Sequence, residues 1–242
     1  MTDSGAVSLE LLTEADQRLV RTVDGLTADE LAAPSSLPGW TRAHVVAHLA
    51  LNGEALDGVL TGIAREEPVA MYASQERRDA DIAELAGAEP GTLRERLMAS
   101  TSRFGRAAQA LPAERAETLV ERVPGGPTFP AGTILLMRWR EVEIHHADLD
   151  AGYSRADWTT DFAMAVLESA SHRSWPTPFR VLVREPARTW EYGDPPGDTD
   201  SPTATVPTVS GDVRDLAWWI TGRGGSDRLT TGPDDLPEVP AW

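Results

Sequence analysis

The sequence contains no cysteine. Disulfides, thiolate metal ligands and a cysteine nucleophile of the chain's own are therefore excluded, and any sulfur chemistry has to use an imported thiol. Lysine is missing as well: all 22 basic residues are arginine, each a planar fork suited to bidentate contact with carboxylates. Against them stand 38 acidic residues, giving a formal charge of -16. A chain of that sign lacks the basic footprint that displaces counterions from phosphates, so nucleic acid is not an expected partner. No run of eighteen apolar residues occurs, and no membrane span is expected. The opening "MTDSGAVSLELLTEADQRLV" has neither the basic start nor the apolar core of an export signal. These absences together predict a cytoplasmic protein.

What is present is a chain of 242 residues, 41% apolar, enough for one large domain or two modest ones. The first two thirds read as helices. Leu9, Leu12, Leu19 and Val23 recur at helical spacing, and "TRAHVVAHLALNGEALDGVLTGIA" (41–64) sets Val45, Val46, Leu49, Leu56 and Leu60 on a broad stripe behind a Thr41 cap. "SQERRDADIAELAG" and "GTLRERLMASTSRFGRAAQAL" are two further helices bounded by Pro or Gly. After a break at "PGGPTFP", a last long helix is expected from about Ala131 to Asp150. This pattern predicts a four-helix bundle over residues 1–152. From 153 to 242 the character changes. A helix near 159–173, strands in "FRVLVREP" and "ARTWEYG", a third strand in "TATVPTVSG" and a helix capped near Asp212 predict a small α+β domain, with 194–202 as a mobile loop.

Five histidines occur: His44, His48, His145, His146 and His172. On a helix, positions four apart lie about 40° from each other on one face. "HVVAH" therefore pairs His44 with His48, and "EVEIH" pairs Glu141 with His145. Bundle interiors are where facing helices assemble metal sites. Catalytic zinc commonly takes two histidines and a carboxylate and keeps a fourth position open. Glu141 and His145 with either His44 or His48 meet that count. The plainer reading of each pair is a chance spacing or a surface contact. His146, about 100° round from His145, reads as a supporting or surface residue, and His172 as ordinary. The di-iron pattern of Glu-x-x-His on two helices is absent, as are HExxH, a P-loop and a GxGxxG turn.

"GWTRAHVVAHLALNGEAL" (39–56), "PVAMYASQERRDADI" (68–82), "MRWREVEIHHADLDAGY" (137–153), "WWITGRGGSD" (218–227) and the closing "PEVPAW" together resemble the mycothiol-dependent maleylpyruvate isomerase family, a group of DinB-like metal-binding bundles. The resemblance implies zinc held by His48, Glu141 and His145, with His44 a neighbour. It implies that Arg223 is a catalytic residue supplied by the C-terminal domain to the bundle site, and that Asn52 and Arg78 contact substrate or cofactor. "VEIHHAD" adds Glu143 and His146, which leaves open a ligand set shifted by one residue. Without the resemblance, Arg223 reads as an arginine complementing a helix C-terminus.

The implied cofactors are a divalent zinc ion and mycothiol, and the implied substrate is a small dicarboxylate. The implied reaction is the cis–trans conversion of maleylpyruvate to fumarylpyruvate in gentisate breakdown. Reversible addition of the thiolate makes the double bond single for long enough to rotate. Two alternatives use the same residues: a mycothiol S-transferase acting on another electrophile, and a non-catalytic module that binds metal or a small acid, which a closed four-ligand site would favour. Two histidines and a carboxylate equally suit ferrous iron.

Overall fold

The computed structural model describes residues 7–67, 69–194, 206–232 and 235–240. From residue 195 onward, the expected loop at 194–202 lies outside them. The chain divides into two compact units, Ala6–Ser154 and Arg155–Trp242. Among the described residues no helix is long and apolar enough to cross a membrane. The fold is α+β and mainly helical.

Four long helices build the first unit: α1 (Leu9–Gly25), α3 (Arg42–Ala64), α5 (Pro90–Ala110) and α6 (Ile134–Asp148). Ser8 caps α1 by accepting from the Leu11 N–H, and Leu12, Ala15, Leu19 and Val23 form its buried stripe. Proline opens α5, where a missing N–H costs nothing. Around the bundle, α3 packs on α5 and α6, and α1 packs on the same two. The expected single stripe on α3 is too narrow. Val45, Val46, Ala47, Leu49, Ala50 and Leu56 are all buried, so this helix is covered on nearly every side and its polar residues are enclosed. Gly53 permits the close approach of α5: a Cβ there would stand 3.2 Å from the Ser100 Cβ and 3.3 Å from an Arg138 guanidinium nitrogen.

Two shorter helices, α2 (Ala28–Ala32) and α4 (Gln75–Ala86), flank α3. The expected break before the last bundle helix is an antiparallel hairpin, β1 (Leu119–Glu121) with β2 (Thr128–Pro130), pairing Val120 with Phe129. Two strands of three residues each are too short to show an alternating pattern. The hairpin also carries a neighbouring segment, because the Met71 and Tyr72 N–H groups donate to the Glu121 and Arg122 carbonyls, each at 2.9 Å. Helix α6 begins at Ile134 rather than Ala131, after one tight turn at Ala131–Thr133.

In the second unit, α7 (Thr160–Ser171) and α8 (Val213–Ile220) pack together beside a sheet of β3 (Phe179–Val183), β4 (Arg188–Tyr192) and β5 (Thr208–Gly211). Strand order is β4-β3-β5; β4 is antiparallel to β3 and β5 parallel to it. Phe179, Val181 and Val183 alternate inward along β3. Asp212 caps α8 by accepting from the Arg214 N–H at 2.9 Å.

Candidate metal centre

Helix α3 starts at Arg42, and that boundary separates the two histidines of "HVVAH". His44 occupies the third position of the helix, where its Nδ1 lies 2.7 Å from the Thr41 hydroxyl and accepts from the Thr41 N–H, completing a reciprocal capping box. His44 is thus engaged at the helix end. One turn further on, His48 is 4% exposed and faces α6. Its Nε2 lies 2.8 Å from Glu141 Oε2. The His145 Nε2 lies 3.4 Å from the same oxygen, and the two imidazole rings meet edge-on with centroids 4.7 Å apart.

A ligand atom from each of His48, Glu141 and His145 lies within 4.8 Å of the other two. Ligands about 2.0–2.2 Å from a tetrahedral zinc stand roughly 3.3–3.6 Å from one another, so the three need only small side-chain adjustments to share one ion. Two imidazoles and a carboxylate are donors that suit zinc or ferrous iron. His145 has the support expected of a ligand. Its Nδ1 lies 2.8 Å from Asp148 Oδ2, a carboxylate that fixes the ring and directs Nε2 at the site. Ser36 donates to the other Asp148 oxygen at 3.3 Å. Asp148 is not among the residues singled out from the sequence; it follows His145 by three residues, a same-face spacing on a helix that could have signalled it.

The electrostatics of the triad follow from burial and pairing. Burial outweighs the attraction of Glu141 and pulls His48 down to about 4, leaving a neutral ring. For Glu141, burial works upward, but the electrostatic attraction of His48 and hydrogen bonds with both histidines hold its carboxyl well below the usual range. For His145, burial works downward and is outweighed by hydrogen bonds to Asp148 and Glu141, so its pKa is raised.

Arg78, from α4, reaches this centre: its guanidinium donates to His48 Nδ1 at 3.3 Å and to Asp79 at 2.8 Å. A guanidinium only donates, so without an ion Nδ1 is the acceptor and the His48 proton sits on Nε2, facing Glu141; coordination through Nε2 would move that proton to Nδ1 and release Arg78 from the ring. Asn52 lies one turn beyond His48, 2% exposed, with its Oδ1 accepting from Arg138 at 2.9 Å. Arg138, fully buried, also donates to the Leu49 carbonyl at 2.8 Å. It ties α6 to α3 one turn from the triad and so fixes the register that brings His48 opposite Glu141. Trp40 adds an aromatic wall, 5.8 Å from His48 between ring centroids.

Glu143 and His146 belong to a different face of α6. His146 is 1% exposed, not a surface residue, and stacks on Tyr153 at 3.7 Å with its Nε2 2.8 Å from the Thr22 hydroxyl. Glu143 accepts from Arg18 at 2.7 Å and from Tyr153. Both lock α6 to α1, and neither joins the metal triad. His172 is exposed and stands 3.5 Å from Glu168 on its own helix. In the second unit, Arg223 sits between Gly222 and Gly224, both with positive φ. It donates to the Thr221 carbonyl at 3.2 Å and lies 6.0 Å from the Trp218 ring centroid.

Residues 12–150 match the sequence family described as the mycothiol maleylpyruvate isomerase N-terminal domain. The chain belongs to the mycothiol maleylpyruvate isomerase family. Two solved structures share its fold over nearly the full length. The mycothiol-dependent maleylpyruvate isomerase is 27% identical, with 97% of this chain and 95% of that chain covered and a TM-score of 0.83. A histidine-to-alanine mutant of a mycothiol-dependent maleylpyruvate isomerase is 26% identical, with the same coverage and TM-score. Comparison with curated protein sequences finds no match. Within the family's N-terminal domain, the His48, Glu141 and His145 cluster joins two of the four bundle helices.

Proposed function

We propose that this protein catalyses the mycothiol-dependent isomerisation of maleylpyruvate to fumarylpyruvate at a zinc ion held by His48, Glu141 and His145. One observation carries the reading: in a chain of this family without a cysteine, three ligand atoms converge from two helices while His44 is occupied elsewhere. Zinc supplies the charge that holds a bound sulfur as thiolate at neutral pH, and mycothiol supplies the sulfur whose reversible addition frees the double bond to rotate.

The chain's own residues do the rest. His48, Glu141 and His145 would hold the ion, three protein ligands being the usual number in a catalytic zinc site. Asp148 holds the His145 ring in place, and Trp40 and the apolar side chains of α3 exclude water from one side. Arg78, already against His48, pairs with a carboxylate of the substrate; an arginine beside the metal favours a dicarboxylate over an apolar electrophile. Asn52, held by Arg138, is the second polar residue that the resemblance implies as a substrate or cofactor contact. The family resemblance is what supports a catalytic role for Arg223, which would pair with a substrate carboxylate or with the negative charge that builds on the keto oxygen during turnover. The cytoplasm, where small thiols stay reduced, is the compartment for this chemistry, and gentisate breakdown is its pathway.

An ultraviolet assay with maleylpyruvate tests this directly. The purified zinc protein is expected to form fumarylpyruvate only when mycothiol is added, with the thiol returned unconsumed. Consumption of the thiol would identify an S-transferase, and turnover without thiol would remove the mechanism. Arg223→Ala should lower the rate on the order of a hundredfold, the usual cost of one preorganised charge-stabilising group. Normal turnover by that variant would take Arg223 out of the reaction.

A further inference from the structure

Tyr72 sits where three features of the first unit meet. Its backbone is fixed to the β1–β2 hairpin by the N–H donated to the Arg122 carbonyl. Its ring lies between two guanidiniums, those of Arg78 and Arg122, 5.6 and 5.7 Å from the ring centroid. Its hydroxyl has Arg78 and Asn52 as hydrogen-bonding neighbours and is near enough to Glu141 to be influenced by that carboxylate. Through these neighbours the phenol connects to the triad, since Arg78 also donates to His48 and Asn52 is held by Arg138.

Arginine has no acceptor, so Arg78 faces the phenol only as a donor, and the Asn52 carbonyl oxygen already accepts from Arg138. The half-buried hydroxyl can donate to a ligand. The ring lines a cavity of about 330 Å³ together with Arg78, Leu51, Ala55 and Met71. Its acidic walls are already paired, Asp81 with Arg77 at 2.6 Å and Glu54 with Arg96 at 2.9 Å, which leaves phenol and guanidinium as donors beside a short apolar floor. A carboxylate, which only accepts, is the group that both donors can hold together.

We propose that Tyr72 is a substrate-binding residue of this site, its hydroxyl and the Arg78 guanidinium together gripping one carboxylate of a small dicarboxylic acid. The assignment rests on the reading of His48, Glu141 and His145 as a metal site, and it adds to that site the residue that orients the acid. It also gives the hairpin a purpose: a rigid strand edge, rather than a free loop, carries Met71 and Tyr72.

Maleate, a cis dicarboxylate that cannot complete the reaction, is the probe. Calorimetric titration of the zinc-loaded wild type is compared with Tyr72→Phe, which keeps the ring between the guanidiniums and removes only the oxygen. Maleate affinity is expected to fall at least about tenfold, the cost of a hydrogen bond to a charged group, with the zinc content unchanged. Equal affinity in the two proteins, no maleate binding by the wild type, or loss of zinc from Tyr72→Phe would each overturn the assignment. Turnover is a separate readout. In an active wild type, Tyr72→Phe should lose about a hundredfold in kcat/KM. A wild type that binds maleate through Tyr72 yet forms no fumarylpyruvate would leave the assignment standing and remove the isomerase reading.

Discussion

His44 and His48 have the same side chain on the same helix, one turn apart, yet only one faces Glu141. The difference is the helix start: Thr41 takes the first histidine into its capping box, and the next turn carries the second into the interior. Spacing shows that both are candidates and is silent on which one binds, because cap geometry is a property of the boundary. Asp148 could have been found at its three-residue offset from His145. Tyr72 could not, because nothing local to "MYASQERRD" shows that a distant hairpin fixes its backbone. Burial of His48 has a measurable consequence in the metal-free protein. Its folded pKa, lowered from 6.5 to about 4, gives a contribution to stability that is complete above pH 6.5 and is lost as pH falls toward 4. The size is about 3 kcal/mol. His145, with its raised pKa, acts in the opposite sense: its contribution is complete below pH 6.5 and lost as pH rises. The His48 effect is isolated by urea unfolding of metal-free wild type and His48→Gln at pH 7 and pH 4. The wild type should lose about 3 kcal/mol more than the variant across that interval. Parallel losses would show that the buried ring is not the titrating group.

At the scale of elements, the site depends on α3 and α6 keeping register against their neighbours. Arg138 ties the two helices by donating to Leu49 and Asn52, and Gly53 lets α5 close on α3 from the other side. A methyl at Gly53 would press on Ser100, whose side chain is fully buried, and overpacking of this kind typically costs about 1–3 kcal/mol. Gly53→Ala is therefore expected to lower the unfolding free energy by that amount, read from denaturant curves. A variant as stable as the wild type would mean that α5 yields without cost. The bundle helices are legible because Pro and Gly separate them and their apolar residues recur at helical spacing. The α3 stripe is underestimated from sequence because a helix covered on nearly all sides loses the contrast between faces. The hairpin escapes notice because strands of three residues carry no period, and the parallel pairing of β5 with β3 is long-range and has no local signature.

For the molecule as a whole, net charge works against the proposed substrate. A net charge of -16 attracts divalent cations and repels a dicarboxylate. Arginines placed locally, with Arg78 against His48, answer the repulsion where it matters. The absence of cysteine is the most informative feature legible from composition, since it sends sulfur chemistry to an imported thiol and leaves imidazole and carboxylate as the ligands. Near residue 153 the sequence shifts from a helical to an alternating pattern, and the chain divides into two compact units after Ser154. The claim on which all of this depends is that three side chains share one ion. Calorimetric titration of zinc into metal-free wild type, His48→Ala, Glu141→Ala, His145→Ala and His44→Ala is the most direct test. One ion should bind per wild-type and per His44→Ala chain, and affinity should fall on the order of a hundredfold or more in each of the other three. Full-affinity binding by any of those three, or loss of binding in His44→Ala, would contradict the account.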